Sequence, residues 1–228
     1  MKGADDMHVA GLWRYPVKSL AGESLTVATL TPEGIPGDRV VHVCGPEGVR
    51  TSRRHHRLLG LRGTLGADAR PHINGHPWNS PEALALIQNA AGDDAWLEAH
   101  DGLERFDILP LLVATDGAVA MFGRDVRRLR PNLLIGGVEG MTETRWPSAH
   151  LRIADTTVRL DALRGRCVMT TVDPDTLERD PDVLKDVVRR FGGQLAVDAD
   201  VVRGGTVRMG DAVLLDEQAS DRDLVCRR

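Results

Sequence analysis

Short apolar stretches, separated by glycine, proline and aspartate, make up most of the first hundred residues. Stretches of this length, in which apolar side chains dominate or alternate with polar ones, are typical of β-strands. The predicted strands are His8–Trp13, Ser24–Leu30, Val40–Val43, Leu61–Leu65 and Ala95–Glu98. Their close spacing favours a barrel or a sandwich over alternating strands and helices.

The second half of the chain repeats this β pattern. Its predicted strands are Leu133–Ile135, Leu151–Ile153, Thr157–Leu160, Val168–Val172, Leu195–Val202 and Val213–Leu215. Two helices interrupt the strands, one bounded by a cap at Ser80 and a stop at Gly92, the other by Asp180 and Gly192. A shorter helix is predicted from Asp116. The pattern therefore predicts a mainly β fold with a few helices.

A polar, turn-rich segment runs from Glu98 to Asp107 in the middle of the chain. Segments of this composition are typical of boundaries between folding units, because few apolar contacts cross them. We therefore predict two units, residues 1–103 and residues 104–228.

Composition excludes several classes of protein. A net charge of −4 and an aromatic content of 4% argue against a nucleic-acid partner. No apolar run approaches the roughly 20 residues of a membrane helix, and the N-terminus lacks the apolar stretch of a secretory signal. We expect a cytoplasmic protein without a membrane partner. Arginine supplies 26 of the 29 basic residues, which suits bidentate recognition of anions, although codon bias explains the same excess.

Cys167 is the residue most suited to metal chemistry. The three cysteines, Cys44, Cys167 and Cys226, are widely spaced, so neither a disulfide framework nor a zinc ribbon is indicated. Arg166 precedes Cys167 on a predicted strand, and a neighbouring cation stabilises the thiolate that soft metals bind. The alternative is a small buried core residue. Glycine-rich nucleotide-binding, zinc-protease and serine-hydrolase signatures are absent from the sequence.

Four motifs occur along the chain in the order that is found in one known family. They are Tyr15-Pro16-Val17-Lys18-Ser19, Gly37-Asp38-Arg39, Leu129-Arg130-Pro131-Asn132-Leu133 and Arg166-Cys167-Val168-Met169-Thr170-Thr171-Val172-Asp173-Pro174-Asp175-Thr176. Together they resemble the MOSC family, named for the C-terminal domain of molybdenum cofactor sulfurase, and especially its amidoxime-reducing branch. Thr51-Ser52-Arg53 is a weaker match to another segment of that family.

The resemblance implies a MOSC-type β-barrel in residues 104–228 and an N-terminal MOSC-associated β-barrel subdomain in residues 1–103. It also implies a molybdenum cofactor, molybdopterin with molybdenum, to which Cys167 adds a sulfur ligand. The residues implied to hold its phosphate and pterin are Lys18, Ser19, Arg39, Arg130, Asn132 and Arg166. Taken singly, each has an ordinary alternative, such as a solvated charge for Lys18 or a turn former for Asn132.

By the same resemblance, the chain is expected to be an oxidoreductase that reduces amidoximes, hydroxylamines or N-hydroxylated bases. Arg53 is the candidate for orienting the substrate. Because no cysteine set for an iron–sulfur cluster is present, electrons are expected from a separate ferredoxin or flavin reductase. The alternative is a protein that carries the molybdenum cofactor, or sulfur on Cys167, without reducing a substrate.

Two positions depart from the family pattern. Ile108 follows Asp107 where relatives often carry a hydroxyl residue, and Gly165 stands two residues before Cys167 where relatives can carry serine. Side-chain contacts to a cofactor are therefore not expected from either position.

Overall fold

The computed structural model describes residues 6–100 and 102–217, and strands dominate this part of the chain. The strands are β1 (His8–Arg14), β2 (Glu23–Leu25), β3 (Val27–Leu30), β4 (Val41–Gly45), β5 (Gly48–Val49), β6 (Gly63–Leu65), β7 (Pro71–Ile73), β8 (His76–Pro77), β9 (Trp96–Ala99), β10 (Leu111–Thr115), β11 (Leu133–Gly136), β12 (His150–Ile153), β13 (Thr156–Gly165), β14 (Gln194–Arg203), β15 (Gly205–Arg208) and β16 (Val213–Asp216). The α-helices are α1 (Pro81–Ala91), α2 (Asp116–Phe122) and α3 (Pro181–Phe191). The predicted mainly β fold is confirmed.

The largest sheet has the strand order β16-β12-β13-β14-β10-β11-β1-β2. Backbone hydrogen bonds from Val9 to Asp211, 2.9 Å, and from Gly210 to Val9, 2.8 Å, also join β1 to the turn before β16. The strands from β16 to β1 thus follow one another around a ring. Its interior holds fully buried aliphatic side chains such as Leu133 and Val197.

A second core lies in the N-terminal half of the chain. Here β4 pairs with β5 and β9, β7 pairs with β6 and β8, and α1 packs between them. Val43, Leu58, Ile73 and Ile87 contribute fully buried side chains to this core. The first strand, β1, belongs instead to the large sheet, through its pairing with β11. The sequence Tyr15 to Ser19 consequently leaves the large sheet and enters the N-terminal core.

Capping residues set the ends of the longer helices. Ser80 accepts a hydrogen bond from the backbone N–H of Ala83, 3.2 Å, and Asp180 caps α3 in the same way through Asp182, 3.0 Å. Gly192 ends α3 in the left-handed conformation. These ends agree with the sequence prediction. No helix in the described part of the chain is long and apolar enough to cross a membrane.

One predicted strand is wrong. Val168–Thr171 forms a 3-10 turn, not the predicted strand Val168–Val172. The Thr170 and Thr171 hydroxyls donate to the carbonyls three residues earlier, at 2.8 and 2.7 Å, and these local bonds replace a strand ladder. The β-branched residues had suggested a strand, but their hydroxyl groups stabilise a turn directly after Cys167.

Candidate functional site

One pocket brings the predicted site residues together where the two halves of the chain meet. Its lining includes all of the following predicted residues: Lys18, Ser19, Arg39, Arg53, Arg130, Asn132, Arg166 and Cys167. The segments that line the pocket include the stretch after β1, the stretch before β11 and the end of β13. Residues far apart in sequence therefore lie close together. Their proximity in the structure is consistent with a shared ligand, and their role in binding it stays a prediction.

Positive charge dominates this pocket. Its lining has seven cationic side chains: Lys18, Arg39, Arg53, Arg128, Arg130, Arg164 and Arg166. Asp107 is the one carboxylate among the same lining residues. Like charges at this density repel one another unless an anion lies among them. The charge of the pocket therefore favours an anionic ligand over a neutral or cationic one.

Neighbouring carboxylates compensate five of these cations. Asp38 pairs with Arg39, Asp173 with Arg128 and Asp198 with Arg164; the remaining two, Lys18 and Arg53, share Asp107 at 2.9 and 3.0 Å. Although partial burial of Asp107 opposes ionisation, Lys18 and Arg53 hold its pKa below the ordinary value. Asp107 is consequently a fixed negative charge at the side of the pocket.

Arg130 and Arg166 differ from the other five cations. Within the described residues neither has a carboxylate in ion-pair distance, and each donates to a backbone carbonyl, Arg130 to Leu20 at 2.6 Å and Arg166 to Leu129 at 2.7 Å. The Nε atom of Arg166 is buried and makes no hydrogen bond. Desolvation lowers the pKa of both guanidinium groups to about 10, so both stay charged at neutral pH. They are the strongest candidates for binding an anion.

The aromatic ring of Tyr15 packs against the guanidinium group of Arg130. The Arg130 guanidinium lies 4.3 Å from the centre of the Tyr15 ring, and that of Arg39 lies 5.1 Å from it. Such stacking favours a cation over an aromatic face. The Tyr15 hydroxyl donates to the carbonyl of Pro131, 3.0 Å, and burial raises its pKa to about 12. Tyr15 is therefore a neutral platform that orients two arginines.

Asp38 ties the segments of the site together. Its side chain is fully buried, accepts from the backbone N–H of Tyr15 at 2.6 Å and from the Asn132 amide at 3.3 Å, and pairs with Arg39. The backbone carbonyl of Asp38 accepts from Arg105, 3.1 Å. Asp38 thus links the sequence after β1 to the loop before β11. Asp38 belongs to the Gly37-Asp38-Arg39 motif, but no role for it was predicted from the sequence.

Asn132 is fully buried, and its side-chain amide makes hydrogen bonds with three protein groups. Its carbonyl oxygen accepts from the backbone N–H of Leu112, 3.2 Å, while its NH2 group donates to Asp38 and to the carbonyl of Trp13, 3.3 Å. These bonds fix the loop that presents Arg130. The structure thus shows a positioning role for Asn132, and its contact with a cofactor remains a prediction.

Three of the predicted residues have left-handed backbone conformations. The φ angles are 73° at Ser19 and 57° at both Arg39 and Arg130. Non-glycine residues rarely adopt such angles, which cost on the order of 1 kcal/mol each and persist where the surrounding structure enforces them. At these three positions tertiary contacts, including those of Asp38 with Arg39 and with the Tyr15 backbone, hold the chain in the shape that aims the side chains.

Cys167 lies between the end of β13 and the 3-10 turn that follows. It is a free thiol, partly exposed, with Thr170 donating to its carbonyl from both N–H and hydroxyl at 3.0 and 2.8 Å. Arg53 contacts the sulfur; burial opposes protonation of Arg53, but Cys167 and Asp107 raise its pKa. The thiol therefore faces the pocket beside positive charge, as a metal-binding thiolate requires.

Two sequence models match the chain in tandem. The model of the MOSC N-terminal beta barrel domain matches residues 6–104, and that of the MOSC domain matches residues 116–214. The chain belongs to the MOSC family. Both regions contribute to the pocket, which makes it a site shared by the two MOSC regions. The boundary that the sequence suggested, between residues 103 and 104, stays a prediction.

Individual relatives of this MOSC protein are distant. It is 25% identical over 217 residues to molybdenum cofactor sulfurase from Caenorhabditis briggsae, covering 77% of this chain and 30% of that protein. The chain thus spans less than a third of the length of this curated relative. Among solved structures, the YuaD protein from Bacillus subtilis has a TM-score of 0.51 and 14% identity, with 91% of this chain and 93% of that chain covered. YiiM from Geobacillus stearothermophilus has a TM-score of 0.39 and 14% identity, over 50% and 57%.

The residues of the MOSC pocket fit the cofactor that the family suggests. Arg166 offers an unpartnered buried Nε atom, and Arg130 offers a charge without a carboxylate partner in the described structure. Guanidinium groups bind phosphate through paired N–H donors. Cys167 supplies the sulfur that a soft metal centre prefers. Gly165 adds open space beside Cys167, because no atom lies within 4 Å of where its Cβ would stand.

Proposed function

We propose that this MOSC protein is a molybdenum-cofactor-dependent oxidoreductase that reduces N-hydroxylated compounds. One observation carries the proposal: Arg130 and Arg166, two desolvated arginines without carboxylate partners among the described residues, line the same pocket as the free thiol of Cys167. An anionic pterin phosphate and a thiophilic metal would satisfy both features at once. Relationship to a family that includes molybdenum cofactor sulfurase supports this choice.

Each residue would have a distinct task. The anionic parts of the cofactor would be held by Arg130, Arg166, Arg39 and Lys18. Its metal would be bound by Cys167 as a thiolate. When bound, the cofactor supplies two-electron chemistry, in which an N-hydroxylated compound, two electrons and two protons give the reduced compound and water. The protein residues bind, orient and shield the reacting groups.

Arg53 would position the substrate. Its side chain is half-exposed, contacts Cys167 and pairs with Asp107 at 3.0 Å. A guanidinium at the pocket entrance can donate to the oxygen of an N-hydroxyl group while Asp107 fixes its orientation. Substrates with an additional negative charge would meet the same group, so Arg53 also favours neutral or anionic compounds over cationic ones.

A second function remains a candidate because the curated relative is a sulfurase. A module that carries the cofactor, or a persulfide on Cys167, would need the same cationic pocket and the same accessible thiol. A cofactor carrier would bind molybdenum without turning over a substrate, and a persulfide carrier would do neither. Activity, and not metal content alone, therefore separates the two functions.

The experiment begins with protein purified from a host that makes the cofactor. Molybdenum and pterin are measured per chain, and reduction of benzamidoxime or of a hydroxylamine is then followed with reduced methyl viologen. Near-stoichiometric molybdenum with turnover supports the reductase. Stoichiometric molybdenum without turnover of any N-hydroxylated substrate supports the cofactor carrier, and protein without molybdenum contradicts both the reductase and the cofactor carrier.

Replacing Arg130 by alanine should lower cofactor content much more than it lowers stability. Loss of a charge-assisted contact to phosphate costs on the order of 1.5 to 3 kcal/mol of binding, which is about a tenfold to hundredfold loss of affinity. The folded protein loses one carbonyl hydrogen bond but also a poorly compensated cation. Molybdenum content and urea unfolding of cofactor-free protein measure the two effects. Arg203→Ala, at an exposed arginine of β14 outside the pocket, is the matched control.

The electron donor should be an acidic protein that docks at the pocket entrance. Arg53 lines the pocket and is exposed, as are Arg54, which follows it in sequence, and Arg179, which donates to the carbonyl of Arg53 at 3.3 Å. Opposite charge accelerates such encounters, and salt weakens them. Turnover with a ferredoxin or flavodoxin-type donor should fall as ionic strength rises, whereas turnover with a small neutral reductant should change little. The isolated chain should not oxidise NADH or NADPH.

The charge-reversal variant Arg54→Glu tests this docking surface. It should lower kcat/KM for the protein donor and leave turnover with the small reductant unchanged. A Glu substitution at Arg203, which lies on β14, should have neither effect. Equal losses with both reductants would show that Arg54 affects the pocket itself, and would contradict its role in docking.

A further inference from the structure

A second set of metal-binding side chains lies on the N-terminal pair of strands β4 and β9. His42 stands opposite Glu98, and Cys44 opposite Trp96, in the antiparallel register. The backbone N–H of His100 continues this pairing to Val40, 2.8 Å. Since alternate residues of a strand point to the same face, His42, Cys44, Glu98 and His100 share one face. Val41 and Val43 point the other way, into the N-terminal core.

Three donor groups on this face lie close enough to share one ion. The sulfur of Cys44, a carboxylate oxygen of Glu98 and a ring nitrogen of His100 all lie within 4.8 Å of one another. In a tetrahedral zinc site the ligand atoms are about 3.5 Å apart, given bonds of roughly 2.0 to 2.3 Å. Small side-chain rotations of exposed Glu98 and half-buried His100 would close the difference. The backbone would not need to move.

The histidines of this face lack the partners that buried rings normally have. His42 is 3% exposed and stacks on His100 with 3.9 Å between ring centres. Within the described residues, neither ring nitrogen of His42 makes a hydrogen bond. The Nε2 atom of His100 is buried and also makes no hydrogen bond to the described part of the chain. Buried polar atoms without partners are rare in folded proteins, and a bound ion or a water molecule is the kind of group that satisfies them.

We propose that Cys44, Glu98 and His100 form a binding site for a thiophilic divalent cation of the Zn²⁺ type, with His42 packed against His100 to hold its ring. Two anionic ligands and one neutral imidazole balance the charge of the ion, and the thiol proton is released to solvent on binding. Glu98 is exposed, so the ion has a path from solvent. Three protein ligands leave a fourth position for water. The site is separate from the Cys167 pocket and does not depend on the proposed function.

The test uses the full chain, freed of metal by a chelator and titrated with Co²⁺ and then with Zn²⁺ against a chromophoric competitor. Wild type should bind one equivalent and show a thiolate-to-cobalt charge-transfer band. Cys44→Ser should lose the band and bind Zn²⁺ at least about a hundredfold more weakly, because it loses an anionic sulfur ligand. Cys167→Ser is the matched thiol control and should retain both the band and the affinity.

Glu98→Gln and His100→Ala keep the proposal testable if Cys44→Ser fails to fold. Glu98→Gln changes an exposed side chain, and should keep the sulfur band while weakening Zn²⁺ binding about tenfold. His100→Ala should weaken binding at least as much. The proposal is overturned if wild type binds no Co²⁺ through sulfur, if the band survives in Cys44→Ser, or if Cys167→Ser removes it.

Discussion

Replacement of Cys167 by serine is expected to abolish molybdenum-dependent reduction of N-hydroxylated compounds, with kcat/KM falling at least about a thousandfold. Serine is a harder and more basic ligand, which would not hold a soft metal as the thiolate does. Folding should be little affected, because the described hydrogen bonds of Cys167 with Thr170 use its backbone carbonyl. The measurements are viologen-coupled turnover, molybdenum content and thermal unfolding.

Cys226→Ser is the control for loss of a thiol; Cys226 lies outside the described residues. This variant should keep its molybdenum content and most of its activity. Equal loss of activity in the two variants would contradict the assignment of Cys167 as the metal ligand. Retention of full activity in Cys167→Ser would show that reduction does not need this sulfur, and would contradict the role proposed for Cys167 as metal ligand.

Replacement of Asp38 by alanine is expected to lower the free energy of unfolding by about 3 to 5 kcal/mol, as for other buried ion pairs that lose one partner. The change leaves the Tyr15 backbone N–H without its acceptor, and Asn132 and Arg39 each lose one partner. Cofactor content should fall too, because the same contacts shape the Ser19 and Arg130 loops. Urea unfolding of cofactor-free protein and molybdenum analysis measure these effects.

Asp93→Ala removes an exposed aspartate from the loop between α1 and β9, and serves as the matched control. Its stability should match that of wild type to within about 0.5 kcal/mol. If Asp38→Ala is as stable as Asp93→Ala, the hydrogen bonds at Asp38 contribute little to the fold. The positive φ angles at the pocket would then need another explanation.

Local sequence carried much of the information about the site. Arg166 and Cys167 are adjacent, and short motifs contain Lys18, Arg39 and Arg130, so the resemblance of these motifs to the MOSC family pointed to residues that the fold brings together. The start of α1 was predicted equally well from Ser80, because a capping side chain bonds to backbone N–H groups within a single turn. The information that was found is local in each case.

Contacts between distant residues could not be read in this way. Asp38 accepts a hydrogen bond from Asn132, which is 94 positions away in sequence, and Arg164 pairs with Asp198, 34 positions away. The periodicity of apolar residues along the chain does not predict such pairs. The same holds for Cys44 and His100, which meet only because β4 and β9 are neighbours. The wrong strand after Cys167 has a different cause, since threonine hydroxyls there favour a turn over the β propensity of the residue type.

Because the pocket carries a surplus of positive charge, the stability of the folded protein depends on how much anionic ligand is available. A ligand that binds the native state alone, at a thousand times its dissociation constant, adds about 4.1 kcal/mol to stability. That gain is large beside the roughly 5 to 15 kcal/mol by which domains are stable, and here it would include relief of repulsion around Arg130 and Arg166. Chains that fail to receive an anionic cofactor would unfold and be degraded more readily. The amount of this protein in a cell would then follow cofactor synthesis as well as expression of its own gene.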